Sequence, residues 1–146
     1  MRRRTGFYAV AALVLATTFL APGVLAAAKI GKIFVKAAPP DAGGFSDPKL
    51  EDSVKDLQRR IGDFELVTKE EDAEFLLVVV SREEVVVSGQ PNSKRLTVTL
   101  SVREGDKWTP GIKIVKVNNT AFGLTALKAM GDAQKWVKDR AKGKGH

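Results

Sequence analysis

Cysteine is absent from the sequence. That excludes disulfides, thiol nucleophiles and attachment of lipid through a cysteine. Histidine occurs once, as His146 at the final position, so there is no internal imidazole for a Ser–His–Asp or Cys–His arrangement. A zinc site would have to be built from carboxylates alone, which is unusual for zinc. No metal site and no cofactor are expected. The Ala-Lys-Gly-Lys-Gly-His ending lacks the spacing and the strand–helix context of a phosphate loop. No internal repeat is visible.

Charge is also missing from one long stretch. Between Arg4 and Lys29 there is no charged side chain, and a largely apolar run extends from Phe7 to Leu20. Arg2, Arg3 and Arg4 precede it. Pro22, Gly23 and the small residues Ala26, Ala27 and Ala28 follow. A basic end, a short apolar middle and small residues at a cleavage site are the parts of a secretory signal peptide. Residues 1–26 are therefore read as a leader cleaved after Ala26, which makes the protein periplasmic or secreted. An uncleaved amino-terminal anchor is the alternative. A membrane span needs about 20 apolar residues, and Pro22 and Gly23 interrupt this one.

Loss of the leader takes three of 24 basic residues and no acid, leaving 21 against 17 and a net charge of +4. The pI of the whole chain thus overstates how basic the exported form is. Much of the excess lies in the tail Lys-Asp-Arg-Ala-Lys-Gly-Lys-Gly-His. Residues 29–142 are expected to form one domain, with 143–146 a flexible basic end. Export makes nucleic acid an unexpected partner. Membrane contact is expected only through an uncleaved leader, or weakly through the basic tail.

Within the domain, residues 29–36 predict a first strand, and the Pro- and Gly-rich segment after it a loop. Asp47 and Pro48 suit the cap and first turn of a helix. Leu50, Val54, Leu57 and Ile61 then recur at helical spacing up to Gly62. Residues 64–68 read as a short strand. The six apolar residues Phe75 to Val80 predict a central strand covered on both faces. The acids Glu70, Glu71, Asp72 and Glu74 before it read as a solvated turn that guards the apolar run against aggregation. A bulge is expected at Arg82 and Glu83, and a turn over residues 89–93.

Leu96, Val98, Leu100 and Val102 alternate with Arg95, Thr97, Thr99, Ser101 and Arg103, the pattern of a half-buried strand. Residues 112–117 are a last strand after a Lys107–Gly111 loop. A final helix spans about Thr120 to Lys142, with Phe122, Ala126, Ala129, Met130, Ala133, Trp136 and Val137 on one arc. The order predicts an α+β two-layer sandwich: two helices on one mixed sheet of four or five strands.

The succession of a strand like Lys32–Lys36, a helix like Leu50–Gly62, then Phe64-Glu65-Leu66-Val67 and Asp72-Ala73 before a central strand resembles a domain of bacterial envelope proteins. It is similar to the amino-terminal domain of the Tol-system periplasmic protein, the curli-secretion lipoprotein and the lipoprotein activators of penicillin-binding proteins. The resemblance covers about residues 33–80. It implies a periplasmic fold that binds or assembles other proteins, and it carries over no functional residue.

Adjacent acids such as Glu83 and Glu84 face opposite ways on a strand, a poor arrangement for paired acid/base catalysis. The expected function is therefore a non-enzymatic envelope module whose partner is another envelope protein. A small carboxylate-dependent cell-wall hydrolase is the alternative. The candidate binding face carries Arg95, Thr97, Thr99, Ser101 and Arg103. Trp108 is read as either an exposed aromatic residue or one packed in the core.

Overall fold

The computed structural model describes residues 29–39 and 47–143. The residues read as a leader and its expected cleavage site, and residues 144–146, lie outside the described residues. The elements are β1 (Lys32–Ala37), α1 (Pro48–Gln58), β2 (Glu65–Leu66), a 3₁₀ turn (Glu70–Asp72), β3 (Phe75–Val87), β4 (Gln90–Glu104), β5 (Lys107–Asn118) and α2 (Phe122–Ala141). They form one five-stranded sheet in the order β2-β1-β3-β4-β5. β1 is parallel to β2 and β3, and β3, β4 and β5 run antiparallel. Both helices pack against one face of this sheet and against each other, so the expected two-layer α+β sandwich is the observed architecture.

Alternation selects the packed face. Ile33 and Val35 of β1, Phe75, Leu77 and Val79 of β3, and Leu96, Val98 and Leu100 of β4 meet Val54 and Leu57 of α1. Ala126, Ala129, Met130, Ala133 and Val137 of α2 complete the core. Four of these α2 residues are alanine or valine, which keeps the helix close to the sheet. Phe64 and Phe75 fill the lower core edge-to-face, 5.8 Å between centroids, a preferred aromatic geometry.

The helix ends follow the sequence signals with one shift. The Asp47 carboxylate accepts the Lys49 amide at 2.9 Å, as an N-cap should. α1 closes on Arg59 rather than at Gly62. Gly62 instead takes φ +60° in the following turn, a conformation that favours glycine. α2 has no side-chain N-cap of its own. The Asn118 side chain substitutes, its Oδ1 accepting the amides of Thr120 (2.7 Å) and Ala121 (3.1 Å).

Four further expectations are corrected. Residues 64–68 contribute only Glu65 and Leu66 to the sheet. The turn expected over residues 89–93 sits one step earlier. Val87 pairs with Gln90 across Ser88 and Gly89, both at positive φ, the geometry of a two-residue hairpin loop. Residues 107–111, expected as a loop, belong to β5, with Trp108 opposite Arg103 and Pro110 opposite Ser101. Proline is tolerated there because β5 is an edge strand.

The bulge in β3 lies between Val79 and Ser81, not at Arg82 and Glu83. It reverses the strand's phase, so Arg82 turns inward beside Leu96. Its guanidinium donates to Ser53 Oγ at 3.2 Å and lies 4.0 Å from the centre of the Phe122 ring.

Candidate binding face of the sheet

Among the described residues, no helix covers the second face of the sheet. Residues pointing to it are fixed by register: Phe34 pairs with Leu76, Lys36 with Val78, Ser81 with Thr97, Glu83 with Arg95. On the other side of β4, Thr97 pairs with Val115, Arg95 with Val117 and Thr99 with Lys113. All five residues predicted from the alternation of β4 therefore share this face. The expectation that Phe75 to Val80 is covered on both sides is corrected: helices cover one side only. The apolar residues of β3 on the other side are shielded unequally, Leu76 being 6% exposed and Val80 44%.

This inequality divides the face in two. One half is closed by the 3₁₀ turn. Glu70 accepts Lys36 Nζ at 2.8 Å through one carboxylate oxygen and Trp108 Nε1 at 3.2 Å through the other. Arg103 donates to two main-chain carbonyls at 2.8 Å, Nε to Ala73 and a terminal nitrogen to Glu70. Its guanidinium also lies 4.5 Å from the Trp108 ring centre, a cation–π contact. Side chains from β1, β4 and β5 thus converge on one short turn.

The acid cluster before β3 is accordingly not uniform. Glu71, Asp72 and Glu74 are exposed, but Glu70 is an anchor rather than a solvated guard. Trp108 is half-buried and hydrogen-bonded, not a free aromatic. Nothing local in the sequence distinguishes Glu70 from its acidic neighbours; the fold selects it.

The Lys36 hydrogen bond holds the Glu70 carboxyl below its ordinary range, against an opposing effect of burial, with Trp108 and the charges of Lys36 and Arg103 adding to the lowering. A carboxyl depressed in the folded state contributes stability above its unfolded pKa. That contribution is lost as pH falls through the folded value. Glu70→Gln is therefore expected to lower the melting temperature at neutral pH and to flatten the loss of stability below about pH 4.3, the ordinary glutamate value. Thermal melts across the acid range test this; parallel curves for the two proteins would remove Glu70 from the acid response.

The other half is open. Val80, Val115 and Val117 are 44%, 46% and 38% exposed and surround Thr97, itself buried at 7%. Arg95 pairs with Glu83 at its border, and Lys113 is exposed beside it. A shallow depression of about 310 Å³ runs between Val80, Thr97 and Val115. Of the predicted residues, Arg95, Thr97 and Thr99 belong to this open half. Ser101 lies opposite Pro110, and Arg103 is taken up by the turn.

The valines were the missed component. Their signal was present in the phase of Ile112-Lys113-Ile114-Val115-Lys116-Val117: once Ile114 is inward, Val115 and Val117 must be outward. Lys116 then points inward and pairs with Asp132 of α2.

A second depression, of about 520 Å³, lies between the start of α1, the start of α2 and the β3 arm. It gathers Asp52, Glu83 and Glu84. Lys94 holds Glu84 at 3.0 Å, and Arg95 holds Glu83. Asp63 and Glu70, whose carboxyls are each held below their ordinary range by a lysine partner, do not line this depression.

No protein-family model matches the chain, and no curated protein matches it. Several solved structures are distantly similar to it. The hypothetical protein CT253 of Chlamydia trachomatis is 12% identical over 77% of this chain and 97% of its own, with a TM-score of 0.45. The PelC dodecamer of Paraburkholderia phytofirmans is 11% identical, with coverages of 73% and 86% and a TM-score of 0.40. A minor lipoprotein of Acinetobacter baumannii is 18% identical, with coverages of 77% and 94% and a TM-score of 0.32. Identity at this level transfers no function.

Proposed function

We propose that the chain is an exported, non-enzymatic module of the bacterial envelope that binds another protein through the open half of its sheet face. The observation that carries this reading is the exposure of Val80, Val115 and Val117 together on a sheet face that no helix covers among the described residues. Exposed valines in a contiguous group favour a protein contact, because burying apolar surface contributes about 25 cal/mol per Å². The Arg95–Glu83 pair and Lys113 at the border would supply orientation and discrimination rather than most of the affinity. The leader-like residues 1–26 and the resemblance to envelope assembly domains support the compartment.

The competing hydrolase reading would have to employ Glu83 and Glu84. Each is held by a cation, Glu83 by Arg95 and Glu84 by Lys94, and adjacent residues of a strand face opposite ways, a poor arrangement for paired acid/base work.

A photo-crosslinking amino acid at position 115, expressed in living cells, tests the proposal. A discrete adduct with one envelope protein is expected from position 115 and none from position 55 on the exposed side of α1. An adduct only with a second copy would replace the partner by self-association. No adduct from position 115, or equal labelling from both positions, removes the sheet face as a binding site.

A further inference from the structure

We propose that the solvent face of α2 docks on an anionic phospholipid bilayer. At 100° per residue, Leu124, Leu127, Lys128, Gly131, Lys135 and Lys138 share the side of α2 turned away from the buried Ala126, Ala129, Met130, Ala133 and Val137. Leu124 and Leu127 are 41% and 52% exposed. Neither leucine belongs to the core cluster or to the side chains packed against it. Lys128, Lys135 and Lys142 are exposed and make no ion pair among the described residues. Lys138 pairs with Asp63 at 2.7 Å.

Acids are excluded from the centre of this face. Asp132 is turned aside to Lys116 of β5, and Asp139 is half-buried at the flank. The neighbouring surface of α1 is mixed, Lys49, Lys55 and Arg59 standing against Glu51 and Asp52, so it neither supplies nor cancels the excess. Gly131 is exposed and has no atom within 4 Å of where a Cβ would lie. A mid-helix glycine is unfavourable, and here nothing inside the domain demands it. It leaves a flat stretch between the leucines and Lys135.

A row of unpaired lysines with two leucines at one end, and no groove between them, is complementary to a flat negative surface with an apolar interior. That describes an anionic bilayer, where lysines stay at the headgroups and leucines enter the acyl boundary. Sheet face and helix face are opposite sides of a two-layer molecule, so lipid contact leaves Val80, Val115 and Val117 free. The inference stands independently of the protein-binding reading.

Co-sedimentation of the exported chain with vesicles tests it. One set is phosphatidylcholine alone and the other carries about one-third phosphatidylglycerol. Binding is expected to the anionic set only, and to fall steeply between low salt and about 0.5 M salt, where screening is nearly complete. Lys128→Glu with Lys135→Glu should weaken it at least tenfold, by roughly one decade or more for two lysines, with an unchanged melt. Leu124→Ser with Leu127→Ser should weaken the salt-resistant part.

Equal binding to both vesicle sets would assign the interaction to a retained leader and overturn the proposal. So would undiminished binding by the lysine variant, or loss of binding on removal of residues 144–146 alone.

Discussion

Leu57→Asp is expected to abolish cooperative thermal unfolding of the domain. Leu57 sits on the buried side of α1 at 0% exposure, in one cluster with Ile33, Leu77 and Met130. Removing its side chain forfeits about 2–5 kcal/mol of packing. The carboxylate would then be buried among apolar side chains. An unpaired buried charge adds several kcal/mol more. Together these rival the total margin of a typical domain, about 5–15 kcal/mol.

Leu57→Met, which conserves volume, should cost less than about 1.5 kcal/mol and serves as the control. Circular dichroism and calorimetry read both. A cooperative melt for the aspartate variant near that of the parent would mean that this helix face is not packed as described.

The second large effect separates two arginines that the sequence makes equivalent. Arg103→Glu is expected to lower the melting temperature by roughly 10 °C, taking about 2–3 kcal/mol for the lost donors at several degrees per kcal/mol. Its guanidinium serves two carbonyls and covers Trp108. A carboxylate there would face the oxygens of Ala73 and Glu70 with no proton to donate.

Arg95→Glu should move the melt by no more than about 3 °C, because an exposed ion pair contributes only about 0–1 kcal/mol. Arg95 and Glu83 are 40% and 43% exposed at their side chains. Arg103→Lys distinguishes charge from geometry. It keeps the positive charge and loses the planar fork, so most of the destabilisation should persist. Equal shifts for the two glutamate variants would show that the 3₁₀ turn does not depend on Arg103. Charge reversal at both arginines together is consequently a poor test of an interface; Arg95 alone probes the open half without unfolding the closed one.

Periodicity in the sequence determined most of the fold. The three-and-four spacing of Leu50, Val54 and Leu57, the alternation of residues 95–103 and the arc of α2 each depend on which side chains avoid water, a property local enough to read in ten or twenty residues. The same alternation placed Arg95, Thr97, Thr99, Ser101 and Arg103 correctly on a common face. What it left open was what else reaches that face. Three features were decided only when distant strands met: the bulge at Val80, the inward turn of Arg82, and the incorporation of residues 107–111 into β5.

Glu70 shows the reason. Its role depends on Lys36, Arg103 and Trp108, which lie 34, 33 and 38 residues away from it. Among four nearby acids, local sequence carries no information about which one those groups will find. Burial is legible locally because it is a property of one residue and its period. The division of the sheet face into closed and open halves is a property of pairs, and only the tertiary structure brings the pairs together.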